Sequence, residues 1–170
     1  MGLFDKLTST RRPPAGVSPV PGEELRAALL GLGHADVPYV IRYGGGERCD
    51  LLAEWRLTEP AWQHVFVQSR ISHAVRIRMR LVAEEHEVRA LEEQWEVERV
   101  GSPARLQVTS QYTRGPSRTV SRQWTVGRGE SGRVEATETF RFDSAELRDP
   151  LRDTVLKSGW TWRGVVFGKL

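Results

Sequence analysis

The chain contains no asparagine, and only three of its 25 basic residues are lysines. Codon bias in a GC-rich genome produces such arginine-rich usage, and selection for guanidinium groups is the functional alternative. The formal net charge is only +3. Nucleic-acid binding needs clustered rather than scattered positive charge, so we do not expect a nucleic-acid-binding protein.

Cysteine is almost as scarce, because Cys49 is the single one. An intrachain disulfide is therefore excluded, and a reducing cytoplasm is the expected location. Residues 1–12 lack the apolar core of a secretory signal peptide. No stretch approaches the roughly 18 apolar residues of a transmembrane helix, so we expect membrane contact to be peripheral if it occurs.

The 170 residues are 39% hydrophobic and 28% charged, which is ordinary for a globular protein. This length favours one domain, over residues 21–170, preceded by an N-terminal segment and linker over residues 1–20. In that segment Leu3, Phe4 and Leu7 share one face of a short helix. They form either a weak contact to a membrane or partner, or a terminal piece packed on its own domain.

Strict alternation of apolar and polar residues from Ser72 to Phe142 is the strongest pattern in the chain. A period of two predicts strands with one buried and one exposed face. Helical spacing occurs before and after this region, for example over Glu23–Leu32. We therefore predict an α+β fold: a curved antiparallel sheet or partial barrel of about eight strands with about three helices.

The first hairpin of the alternating region places three arginines, at positions 76, 78 and 80, on one face. A turn centred at Glu84 sets Arg76 opposite Glu92. On the inner face it sets Val75 opposite Glu93 and His73 opposite Trp95. The arginines then form either a solvated row of cross-strand ion pairs or an anion-binding stripe.

Polar residues at inward positions mark a candidate pocket. A turn centred at Glu130 places Arg122 opposite Glu138, among apolar neighbours. They form either a structural ion pair near an open end of the sheet or, with Glu93 and His73, the polar lining of a ligand pocket.

The sequence indicates no cofactor, metal site or catalytic residue. The glycine pattern of Gly127–Gly132 matches a dinucleotide-binding motif, but it lies between two predicted strands, whereas that motif requires a following helix. The four histidines are scattered, and no zinc-ligand spacing occurs. We therefore do not expect an enzyme, although His73, Glu93 and Glu138 are the residues that acid–base chemistry would use.

Four segments resemble small actinobacterial proteins of unknown function: Met1–Leu7, His86–Ala90, Trp95–Glu98 and, above all, Gly159–Leu170. The resemblance implies a bacterial cytoplasmic setting and assigns no functional residue. The main hypothesis is a non-catalytic binding or interaction protein that holds a small ligand or a protein partner. The alternatives are a peripheral membrane or envelope-associated factor and an enzyme of unknown type. The apolar C-terminal strand could pair with its own sheet or with a second copy in a homodimer.

Overall fold

Three helices and eight strands make up the described part of the chain. The computed structural model describes residues 9–114, 120–128, 134–166 and 170, with the backbone alone at 47, 110–113, 120–128 and 134–142. The helices are α1 (Gly22–Gly31), α2 (Pro60–Gln68) and α3 (Ser144–Lys157). The strands are β1 (Tyr39–Tyr43), β2 (Leu51–Trp55), β3 (His73–Val82), β4 (Glu87–Val100), β5 (Arg105–Arg114), β6 (Val120–Arg128), β7 (Val134–Asp143) and β8 (Thr161–Gly164).

The strands form one six-stranded mixed sheet and one two-stranded sheet. The large sheet has the order β1-β2-β3-β4-β5, all antiparallel, and β8 adds to β4 in parallel. The predicted α+β class and the antiparallel series are confirmed. The sheet is not wholly antiparallel, because α3 returns the chain to β4 as a crossover that permits parallel pairing. The hairpin β6-β7 lies outside the large sheet, so a single eight-stranded sheet or closed barrel is not what the described residues form.

The main core lies between the large sheet and helices α1 and α3. Both helices contribute a stripe of fully buried residues, with Leu25 and Leu29 from α1 and Leu147 and Leu151 from α3. Asp143 is the N-cap residue of α3, and its carboxylate accepts a hydrogen bond from the Ala145 amide at 2.9 Å. No helix in the part of the chain that the structure describes is long and apolar enough to cross a membrane.

The β3–β4 register differs from the prediction by one residue. Four residues, 83–86, connect the strands, and His86 adopts a left-handed conformation with φ of 45°. Arg76 therefore lies opposite Glu93 rather than Glu92, and His73 lies opposite Glu96 rather than Trp95. A shift of one residue moves every side chain of a strand to the other face. Glu93 thus joins the arginine face, and Glu92 turns toward the helices.

The β6–β7 register also differs. Arg122 lies opposite Arg141, and Glu138 lies opposite Trp124 after a register shift that leaves one β7 residue unmatched. The predicted pairing of Arg122 with Glu138 is therefore wrong. The irregularity between Gln123 and Trp124 explains part of the error, since uninterrupted pairing from one turn assumes that neither strand has a bulge.

Candidate functional site

A row of alternating charges crosses four strands of the large sheet, on the face that carries the β3 arginines. Glu54 of β2 lies opposite Arg76 of β3, Arg76 opposite Glu93 of β4, and Glu93 opposite Arg114 of β5. Directly opposite residues share a face, so the four side chains form one line, which we call the charge row. Each strand thus supplies the counter-charge for its neighbour.

Glu93 is the centre of the charge row and is only 1% exposed. Its Oε2 accepts hydrogen bonds from Arg76 Nε and Nη2 at 3.3 and 3.1 Å. Arg78 Nε lies 3.3 Å from the same oxygen, and Arg114 Nε lies 3.7 Å from Oε1. Burial alone disfavours a charged carboxylate, and three guanidinium groups compensate for that cost. Arg76 and Arg78 of the predicted arginine row thus form ion pairs, and their common partner is one buried carboxylate rather than a solvated row.

Two contacts fix the position of the Arg76 guanidinium group. Glu93 binds its guanidinium, and the guanidinium carbon stands 5.5 Å from the centre of the Trp95 ring. This distance is within the range of a cation–π interaction. Two such contacts restrict the rotamers of a long side chain, so Arg76 has a defined position although its side chain is 21% exposed.

Next to Arg76 the surface opens into a cleft of about 270 Å³, which we call the tryptophan cleft. Its walls come from the end of β2, the start of β3, β4 and the edge strand β5. The lining residues are Glu54, Trp55, Leu57, Ala74, Val75, Arg76, Trp95 and Val108. A mainly apolar lining with a few fixed polar groups is typical of small-molecule sites.

The second tryptophan of the cleft is fixed by helix α2. The rings of Trp55 and Phe66 are stacked, with centroids 5.8 Å apart and planes 24° apart. Arg56, the next residue, joins the surrounding elements: it donates to the carbonyl oxygens of Tyr39 at 3.0 Å and Gly33 at 3.1 Å, and it pairs with Glu59 at 2.7 Å. The β2 end of the cleft is therefore rigidly attached to β1 and α2.

Of the four residues that the sequence assigned to a ligand pocket, the structure describes the side chains of Glu93 and His73 only. Glu93 contacts Arg76, which lines the tryptophan cleft. His73 is not among the lining residues, and its Nδ1 lies 2.8 Å from Ser72 Oγ. Arg122 and Glu138 have described backbone positions only, and their role as pocket residues stays a prediction. Leu3, Phe4 and Leu7 lie outside the described residues.

Sequence reasoning missed the most informative residues of the cleft. The predicted register places Arg76 on the outer face and Trp95 on the inner face, and this one-residue error separates them. The length of the β3–β4 connection was the sequence feature that could have shown that Arg76 and Trp95 lie on the same face. Four residues in that connection, rather than three, place Trp95 on the arginine face.

Among the described residues, shifted pKa values occur at Tyr39 and Arg89, which do not line the cleft. Burial, with a smaller contribution from the negative charge of Glu146, raises the pKa of Tyr39 above its usual 10.0. A side-chain hydrogen bond to Glu87 is the largest cause that raises the pKa of Arg89. Both groups keep their usual protonation state at neutral pH, so neither is a poised acid or base. Over the described residues, no group of three or more His, Cys, Asp or Glu side chains could hold a metal ion.

Comparison with known proteins finds no match to this chain among protein families, curated proteins or solved structures. The geometry of the charge row and the tryptophan cleft is therefore the basis for a functional proposal.

Proposed function

We propose that this protein is a non-catalytic binding protein that holds a small ligand in the tryptophan cleft. The observation that carries the proposal is the cleft itself: an open, mainly apolar space whose lining includes two tryptophans and the guanidinium of Arg76. Pockets that hold drug-sized ligands have volumes of roughly 300–1,000 Å³, so a cleft of about 270 Å³ suits a smaller molecule.

Preorganisation of the cleft supports binding. Trp55 is stacked on Phe66, and Arg76 is fixed by Glu93 and Trp95. Side chains that are already ordered lose little conformational entropy when a ligand arrives, which favours affinity. A buried ion-pair cluster is costly to assemble and is weak evidence for stability alone. Its position beside an apolar cleft is consistent with a role in holding Arg76 for a ligand.

Native mass spectrometry of the protein from its own source tests this proposal. We expect a mass excess that disappears on denaturation. The blocking variant is Val108→Trp, because Val108 lines the cleft and is 45% exposed, so a larger side chain can enter the cleft without disturbing the core. Val100→Trp is the matched control, since Val100 is 40% exposed and does not line the cleft.

Loss of the extra mass in Val108→Trp, with retention in Val100→Trp, is the expected result. A bare protein mass in the native chain would overturn the proposal. Equal retention of the extra mass in both variants would place the bound molecule elsewhere and would overturn it as well.

A further inference from the structure

Each charged residue that lines the tryptophan cleft has a partner of opposite charge outside the lining. The Glu54 carboxylate pairs with Arg42 Nε at 3.1 Å, and the Arg76 guanidinium pairs with Glu93 Oε2 at 3.1 Å. Glu54 and Arg76 also lie directly opposite each other in the β2–β3 register. The two charges of the described lining are thus compensated, so an ionic ligand would have to compete with an existing ion pair.

The cleft opens where strands β2 and β3 separate. The last pair of their register is Glu54 with Arg76, and the adjacent residues, Trp55 and Val75, line the cleft. Neighbouring residues of a strand point to opposite faces of the sheet. Trp55 therefore belongs to one face, whereas Trp95 shares the other face with Arg76. A ligand in the cleft contacts residues of both faces at the end of the strand pairing rather than one flat surface.

The rest of the lining is hydrophobic. It consists of Trp55, Leu57, Ala74, Val75, Trp95 and Val108. Transfer of apolar ligand surface from water to such a lining is favourable, whereas transfer of an ion without a new counter-charge is costly. An engineered cavity of about 150 Å³ in another protein holds benzene, so the cleft of about 270 Å³ accommodates roughly ten carbon atoms.

From these observations we infer that the tryptophan cleft binds an uncharged, mainly apolar molecule of about ten carbon atoms. This inference rests on the proposed function and names its ligand class. Glu54 can accept a hydrogen bond from a neutral hydroxyl group in addition to the one from Arg42, because a carboxylate has several acceptor sites. Aliphatic alcohols are therefore suitable probes.

Calorimetric titration with three probes of equal chain length tests the preference for an uncharged ligand. The probes are 1-octanol, octanoate and octylammonium. We expect octanol to bind about tenfold more tightly than either ion, because each ion loses hydration and finds its counter-charge already paired. Tryptophan fluorescence gives a second measurement of binding, since Trp55 and Trp95 line the cleft.

Alcohols of increasing chain length test the size of the site. Each further methylene group that enters the cleft should tighten binding about fourfold, because its apolar surface leaves water. The gain should appear between hexanol and octanol and should stop at roughly ten carbon atoms, when the cleft is filled. An undiminished gain up to dodecanol would contradict a site of this size and overturn the inference.

Three variants locate the effect. Val108→Trp places a larger side chain in the cleft and should abolish octanol binding, whereas Val100→Trp should leave it unchanged. Arg42→Gln removes a partner of Glu54 that lies outside the lining. Octylammonium affinity should then rise several-fold relative to octanol affinity, because the carboxylate has lost that ion pair. Circular dichroism of each variant verifies that it is folded.

The outcomes separate this inference from the proposed function. Binding of octanoate or octylammonium as tight as that of octanol would overturn the uncharged ligand class and leave a small-ligand site in place. Binding of none of the probes would overturn the inference, and the native mass measurement would then decide the proposed function by itself. Octanol binding that Val108→Trp does not affect, or an unchanged octylammonium affinity in Arg42→Gln, would overturn the inference as well.

Discussion

The buried carboxylate of Glu93 depends on several arginines for charge compensation. It is almost completely buried and contacts three arginines whose side chains keep 21–47% of their exposure. The carboxylate is thus shielded from water, whereas the arginine side chains that pair with it remain partly exposed to solvent. Loss of the carboxylate leaves three like charges close together, whereas loss of one arginine leaves two partners. The glutamate is therefore the most sensitive member of the charge row.

Glu93→Gln should lower the free energy of unfolding by about 2–4 kcal/mol, because breaking a buried ion pair from one side is strongly destabilising. Urea denaturation followed by circular dichroism measures this loss. Glu96→Gln is the control, because Glu96 is an exposed residue of the same strand; its effect should stay within about 0.5 kcal/mol. Equal stabilities of the two variants would contradict the central role of Glu93.

Arg76 is a residue whose role depends on its neighbours rather than on its type. Its spacing with Arg78 and Arg80 correctly predicted a shared strand face. Nothing in that spacing distinguishes an arginine beside a cleft from one in open solvent. The distinction comes from Trp95 and Glu93, which approach from the next strand.

Among the elements, the end of α3 determines how the last strand joins the sheet. Gly159 follows the helix with φ of +75°, and the Trp160 amide donates back to the Val155 carbonyl at 3.1 Å. A Cβ atom at position 159 would stand 2.6 Å from the backbone of Ser18. Glycine is needed there both for its backbone conformation and for this close approach.

Gly159→Ala should be more destabilising than Gly16→Ala. Gly16 has a similar φ of +87°, but its added Cβ would meet nothing within 4 Å. Gly16→Ala should therefore cost only the left-handed conformation, about 1–2 kcal/mol. Gly159→Ala should cost about 1–3 kcal/mol more, because it also forces the backbones apart. Thermal and urea unfolding of both variants measure the difference, and equal losses would contradict the crowding at Gly159.

Element prediction from sequence was accurate where hydrophobic periodicity was long. The predicted helix Glu23–Leu32 is observed at Gly22–Gly31, and the alternating region predicted from Ser72 begins with strand β3 at His73. Pairing was predicted less well, since alternation identifies a strand without measuring the length of the turn that aligns it.

At the scale of the whole molecule, residues 9–20 belong to the hydrogen-bond network of the C-terminal part. Arg11 and Trp162 exchange two backbone hydrogen bonds, at 2.8 and 2.9 Å. The Val20 amide donates to Ser158 at 3.0 Å, and Trp160 Nε1 donates to the Val20 carbonyl at 2.8 Å. Residues 9–20 are thus hydrogen-bonded to the segment 158–162, although the two segments are distant in sequence.

A variant that lacks residues 1–20 should have a lower Tm than one that lacks residues 1–8. Only the longer deletion removes the four hydrogen bonds to the segment 158–162. With roughly 1 kcal/mol for each bond, the difference should be about 5 °C or more. Differential scanning calorimetry measures both values. Equal Tm values would mean that residues 9–20 contribute nothing to stability.

The amino-acid sequence by itself determined the α+β class, the antiparallel series of strands and the face shared by the β3 arginines. These features follow from periodicity and from local backbone preferences, which act within a few neighbouring residues. Only the tertiary structure decided which carboxylate binds Arg76, that the Arg76 guanidinium lies over the Trp95 ring, and that a cleft opens whose lining includes both Trp55 and Trp95. Those contacts depend on the register between strands, and one additional residue in a turn exchanges the two faces of the strand that follows.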